Sequence, residues 1–87
     1  MLDEKVEEKI RSVLKEHGRL GVEVDALSLD ADLHASGLTS HATMSVVIAL
    51  EQAFGSEFPD SLLTRGVFGS IASIGAALEQ VGRVSAE

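Results

Sequence analysis

The residues best suited to chemistry surround one serine, Ser40, in the run Gly37-Leu38-Thr39-Ser40-His41. The apolar segment 42–54 follows and has the length of a helix. Ser40 is therefore predicted at or just inside a helix N-terminus, where unpaired backbone N–H groups and the helix dipole favour a negative group. A phosphate ester on Ser40 would be held by the helix itself. The alternative is that Ser40 is only the helix N-cap.

Catalysis and metal binding are weaker interpretations of the same residues. His41 projects roughly 100° away from Ser40 on a helix and is poorly aimed to deprotonate it. The pattern of Asp30, Asp32 and His34 lacks the glycine and the closing glutamate of a calcium loop. The chain has no cysteine, and its histidines lack the spacing of a zinc site. We therefore expect neither an enzyme nor a metal site.

Composition narrows the possible partners and the location. The chain has 87 residues and a net charge of −7, with 45% apolar residues and no Trp or Tyr. The charge repels phosphate backbones, and stacking platforms for bases are missing, so we expect no nucleic acid partner. The start of the chain is charged where a signal peptide would be apolar, and no apolar stretch could cross a bilayer. We expect a cytoplasmic monomer that does not bind membranes.

Helical periodicity predicts an all-α, four-helix bundle with three main helices and one short one. The main helices are predicted at residues 3–17, 40–54 and 70–81, with Gly18 as the first C-cap and Ser70 as the last N-cap. A short helical turn is expected over 61–65 and another over 32–36. The long first loop, 18–39, contains regular leucines that could strap it across the bundle. We expect one domain, 1–87, with its core in 3–81 and fraying over 82–87.

The helix after Ser40 is more apolar than burial in so small a protein requires. Placing Val46, Val47, Leu50 and Phe54 inward leaves other apolar residues on the outer face. We interpret the outer face as a surface that other proteins contact mainly through apolar side chains. The predicted partner-binding residues are Leu38, Thr39, His41, Met44 and Ile48.

The order of these motifs resembles acyl and peptidyl carrier proteins. Those proteins have Gly-x-Asp-Ser-Leu before an apolar helix that ends in Leu-Glu-x-x-Phe; the corresponding helix end here is at residues 50–54. The turn at 57–60 resembles their acidic-apolar-Pro-Asp turn. Thr39 and His41 stand where the family has Asp and an apolar residue. The resemblance covers roughly residues 6–81.

This resemblance implies that Ser40 is esterified with 4′-phosphopantetheine by a phosphopantetheinyl transferase. The stretches 35–38 and 58–63 resemble, more narrowly, small stand-alone bacterial aminoacyl carrier proteins. Those are loaded by ATP-dependent amino acid:carrier protein ligases that resemble seryl-type tRNA synthetases. The expected cargo is then a small amino acid such as glycine or alanine, held as a thioester. A fatty-acyl or polyketide-type cargo, and an unmodified helical interaction module, are the alternatives.

Overall fold

The computed structural model describes residues 3–86, with the side chains described as far as residue 81. Three α-helices, α1 (Glu4–Val13), α2 (Ser40–Phe54) and α3 (Ile71–Ala86), form the fold, and no strand occurs in the described range. Helix α1 packs against both α2 and α3. The predicted all-α class is therefore confirmed.

The short fourth helix differs in form from the prediction. Two 3-10 turns, Asp60–Leu62 and Val67–Gly69, stand in place of an α-helical turn over 61–65. The backbone leaves helical geometry at Leu63, which has φ −87° and ψ 62°. Pro59 precedes the first of these turns in extended conformation, as proline favours.

Helix α1 begins and ends with identifiable caps. The Asp3 carboxylate accepts a hydrogen bond of 2.8 Å from the Lys5 N–H and caps the first turn. The helix continues through a π-helical turn, Leu14–Gly18, which widens the last turn. The left-handed residue that ends it is consequently Arg19, with φ 53°, and the predicted cap at Gly18 is wrong.

The long first loop is pinned to the bundle by its apolar residues, as predicted. Leu33 is fully buried and Val24 is nearly so. Main-chain hydrogen bonds join Leu33 N–H to Gly69 O at 2.8 Å and Ala72 N–H to Leu29 O at 3.0 Å. These bonds tie the loop to the start of α3.

Arg11 of α1 also holds the first loop, through hydrogen bonds that the sequence did not predict. Its guanidinium donates to the carbonyl oxygens of Val24 at 2.6 Å and Leu27 at 2.9 Å, and it also pairs with Glu7. In the sequence Arg11 looks like an ordinary member of a charged helix face. Only the folded loop brings the two carbonyl oxygens within its reach.

Substituting Arg11 with Ala should lower the free energy of unfolding by about 1.5–3 kcal/mol, the range for hydrogen bonds to charged groups. Lys15→Ala is the matched control, because Lys15 pairs with Asp25 of the same loop but both side chains are exposed. The control should lose less than about 1 kcal/mol. Urea denaturation measures both, and equal losses would contradict the role assigned to Arg11.

Helix α3 starts as predicted and ends later. The Ser70 hydroxyl accepts a hydrogen bond of 3.1 Å from the Ser73 N–H, which makes Ser70 the N-cap. The backbone is helical as far as Ala86, so the predicted end at Val81 is too early. Among its inward side chains, Ile71 and Ile74 are fully buried.

No helix in the described part of the chain is long and apolar enough to span a membrane.

Candidate functional site: the start of helix α2

Thr39, and not Ser40, caps helix α2. The Thr39 Oγ1 accepts a hydrogen bond of 3.0 Å from the Ala42 N–H, and its extended backbone, φ −90° and ψ 165°, is typical of an N-cap. The Thr39 carbonyl accepts from the Thr43 N–H at 2.9 Å. Ser40 is therefore the first helical residue. The sequence alternative that Ser40 serves only as the cap loses its basis, because that position is filled.

The Ser40 side chain is exposed, and within residues 3–81 its hydroxyl takes part in no hydrogen bond. A hydroxyl that has no structural partner can be esterified without breaking any contact. The adjoining helix N-terminus has a positive end of the dipole, which favours an attached phosphate.

The turn before the helix requires a glycine. Gly37 has φ +116°, a conformation that other residues rarely adopt, and an added Cβ would lie 3.3 Å from the Gly21 nitrogen. The turn over 33–37 occupies almost the range expected from the sequence, and the Asp32 carboxylate accepts from the N–H groups of His34 and Ala35. This turn sets where the chain enters α2 and so positions Ser40.

A pocket of about 190 Å³ lies beside Ser40. Helix α2 forms one side of it, and the loop after Pro59 forms the other. His34 bridges the two sides: its Nε2 lies 3.0 Å from the Arg65 carbonyl oxygen, and its Nδ1 lies 3.4 Å from that of Leu38. The lining residues are His34, Ser40, Thr43, Met44, Val47, Leu63, Thr64, Arg65 and Phe68.

The residues predicted to contact partners do not all reach the surface. The Leu38 side chain is only 4% exposed, since it packs into the core as the chain turns into α2. The predicted partner surface therefore cannot include the Leu38 side chain. Met44 and Ile48 are 54% and 53% exposed, and His41 is exposed beside them. Leu63, exposed on the opposite wall of the pocket, was not among the predicted partner-binding residues.

Glu51, the sole charged residue of α2, has a structural role. Its carboxylate accepts a hydrogen bond of 2.9 Å from the Phe58 N–H and holds the turn after the helix. Phe58 is thereby fixed over the core, where it is buried. The exposed side of α2 consequently consists of apolar and uncharged polar side chains.

The Thr39 cap allows a direct test of the local structure. Thr39→Ala should lower the free energy of unfolding by about 1 kcal/mol, because the Ala42 N–H loses its acceptor. Thr39→Ser retains the oxygen and is the matched control. Thermal unfolding compares the two, and an equal effect of both substitutions would show that the cap contributes nothing.

Comparison with known proteins identifies the family. The family model described as the phosphopantetheine attachment site matches residues 4–78, which include α1, α2 and the start of α3. The chain belongs to this family. It is a carrier protein, and its prosthetic group is a covalently attached 4′-phosphopantetheine. The free hydroxyl of Ser40 beside a pocket fits such an attachment.

Relatives of the carrier place it more narrowly. An aminoacyl carrier protein from Agrobacterium fabrum is 45% identical over 65 residues, which are 75% of this chain and 78% of that protein. A carrier protein from Agrobacterium tumefaciens, solved with an engineered Bradyrhizobium japonicum glycine:[carrier protein] ligase and ATP, is 38% identical. That match has a TM-score of 0.84 and covers 87% of this carrier and 99% of that chain.

A further solved protein has a similar fold. The solution structure of a protein from Agrobacterium tumefaciens is also 38% identical, with a TM-score of 0.73. It covers 88% of this carrier and 93% of that chain. This carrier thus shares its fold with two solved proteins and covers more than nine-tenths of each of them.

Proposed function

We propose that this carrier bears 4′-phosphopantetheine on Ser40 and holds an activated small amino acid for transfer between enzymes. The observation with most weight is the free, exposed hydroxyl of Ser40 at the first position of α2. Thr39 supplies the cap, so Ser40 has no competing structural duty. The prosthetic group supplies a terminal thiol, which a chain without cysteine otherwise lacks and on which the amino acid would be held as a thioester.

The likeness to an aminoacyl carrier protein and to a carrier crystallised with an engineered glycine:[carrier protein] ligase supports glycine or a similar small amino acid as cargo. The pocket beside Ser40 supports the same cargo class. Its volume of about 190 Å³ is below the roughly 300–1,000 Å³ of sites that enclose a drug-sized ligand. A long fatty-acyl chain would find little room there.

The surface offered to enzymes consists of Thr39, His41, Met44 and Ile48 around Ser40. Exposed apolar side chains of this kind can be the main contributors to binding when a partner covers them. Two enzymes would use the surface: a phosphopantetheinyl transferase and an ATP-dependent amino acid:carrier protein ligase. We propose that the carrier meets both enzymes in the cytoplasm.

The function is tested by loading. The holo carrier is incubated with the Bradyrhizobium glycine:[carrier protein] ligase, ATP and one amino acid at a time, and intact mass is recorded. We expect the mass to increase by one glycyl or alanyl group, and we expect Ser45→Ala to load like the wild type. Ser40→Ala should not load. Failure to load any small amino acid, together with loading of fatty acids by an acyl ligase, would favour a fatty-acyl carrier instead.

A further inference from the structure

Some polar side chains that line the Ser40 pocket form hydrogen bonds within the protein, and others do not. Thr43 and Thr64 each hydrogen-bond a main-chain atom of their own turn, and the His34 ring lies against two carbonyl oxygens. Arg65 remains: within the described side chains its guanidinium forms no ion pair and no hydrogen bond. Arg65 is therefore an uncommitted cation on the wall of the pocket that contains Ser40.

The charges of the pocket differ from those of the whole chain. The protein has fourteen acidic and seven basic residues, yet no acidic residue lines this pocket. Three other cations already have partners: Arg11 and Lys15 pair with carboxylates, and Lys9 lies 5.0 Å from the centre of the Phe54 ring. Beside Ser40 the chain thus presents positive charge without a neutralising carboxylate.

The backbone of Arg65 lies close to the turn that precedes Ser40. The contact of 3.0 Å between His34 Nε2 and the Arg65 carbonyl oxygen joins the loop to the turn that precedes α2. The carbonyl of Leu38, two residues before Ser40, lies against the other nitrogen of the same ring. The His34 ring thus lies between the chain at Arg65 and the chain that precedes Ser40, and the Arg65 side chain is exposed.

We propose that Arg65 binds the phosphodiester of the 4′-phosphopantetheine attached to Ser40. Guanidinium groups bind phosphate oxygens through paired, charge-assisted hydrogen bonds, and they do so better than ammonium groups. The contact directs the first atoms of the prosthetic arm along the pocket, between α2 and the loop that contains Leu63 and Arg65. It also pairs the negative phosphodiester with a cation in a chain whose net charge of −7 would otherwise repel it. The inference rests on Ser40 as the attachment residue.

The test compares the apo and holo carrier by NMR. In the wild type, the Nε–Hε signal of Arg65 should shift more on conversion to the holo form than that of any other arginine. The ³¹P resonance of the holo carrier should shift in Arg65→Gln and shift less in Arg65→Lys. Arg19→Gln is the matched control, because Arg19 is exposed and does not line this pocket. Its ³¹P resonance should equal that of the wild type.

The possible outcomes separate this inference from the function on which it rests. The inference is wrong, and the proposed function is unaffected, if the Arg65 Nε–Hε signal is the same in the apo and holo carrier and the ³¹P resonance is the same in wild type and Arg65→Gln. If Arg65→Gln changes only the loading rate by the ligase, Arg65 contacts the ligase and the proposal is wrong. If Ser40→Ala gains the same mass as the wild type from coenzyme A, both the attachment at Ser40 and the inference fail.

Discussion

Replacing Ile48 with Asp is expected to lower kcat/KM for ligase-catalysed loading by about 100-fold or more. Ile48 is 53% exposed on α2, beside Met44 and one helical turn further from Ser40. The few residues that dominate an interface contribute about 2 kcal/mol or more each, which is roughly 30-fold at about 1.4 kcal/mol per factor of ten. A carboxylate at this position would in addition be buried without a partner when the ligase covers the helix.

Val22→Asp is the matched control for this substitution. Val22 is 46% exposed, but it lies in the first loop and does not line the Ser40 pocket. We expect its loading rate to stay within about twofold of the wild type, as for a residue outside the contact area. Circular dichroism should show that both variants are folded. Unchanged loading of Ile48→Asp would remove Ile48 from the proposed partner surface.

The second large effect concerns the floor of the pocket. Phe68 is 1% exposed and packs edge-to-face on Phe58, with ring centroids 5.6 Å apart. Phe68→Ala should lower the free energy of unfolding by about 3–5 kcal/mol, as for other buried aromatic residues. At roughly 0.05–0.15 kcal/mol per residue, 87 residues give about 4–13 kcal/mol in total. The substitution would remove much of this stability.

Leu63→Ala is the control for Phe68, since Leu63 borders the same pocket but is exposed. Its free energy of unfolding should change by about 0.5 kcal/mol or less. Phe68→Leu, which keeps most of the apolar volume, should remain folded and permit loading to be measured. A loss below about 1 kcal/mol in Phe68→Ala would contradict the packing described, because buried aromatic truncations cost several times more.

The helical faces could be predicted because one periodicity determines them. Val46, Val47 and Leu50 recur at helical spacing, and all of them are buried. The same rule placed Met44 and Ile48 outside, where the structure also places them. Such patterns are local in sequence, so no knowledge of the tertiary structure is needed to read them.

The errors and omissions come from contacts between distant parts of the chain. The fastening of the loop by Arg11 joins residues 13 and 16 positions apart, and the His34 contact with Arg65 joins residues 31 positions apart. Neither leaves a local pattern. Leu38 was predicted to contact partners, but the turn at Gly37 directs its side chain into the core.

The ends of the helices also depend on the geometry of the last turn, which the sequence pattern does not reveal. A glycine at position 18 is the usual signal for a helix end, yet the π-helical turn moved the left-handed residue to Arg19. Gly55, which directly follows the predicted helix 40–54, does adopt the left-handed conformation, with φ 67°. The difference lies in the geometry of the last turn, which the residue types alone do not specify.

The central claim is that Ser40 is the attachment residue, and intact mass tests it most directly. The apo chain, Ser40→Ala and Ser45→Ala are each incubated with coenzyme A and a broad-specificity phosphopantetheinyl transferase. We predict that the wild type and Ser45→Ala gain one phosphopantetheinyl group and that Ser40→Ala gains none. No mass increase in the wild type, or an equal increase in Ser40→Ala, would contradict the claim.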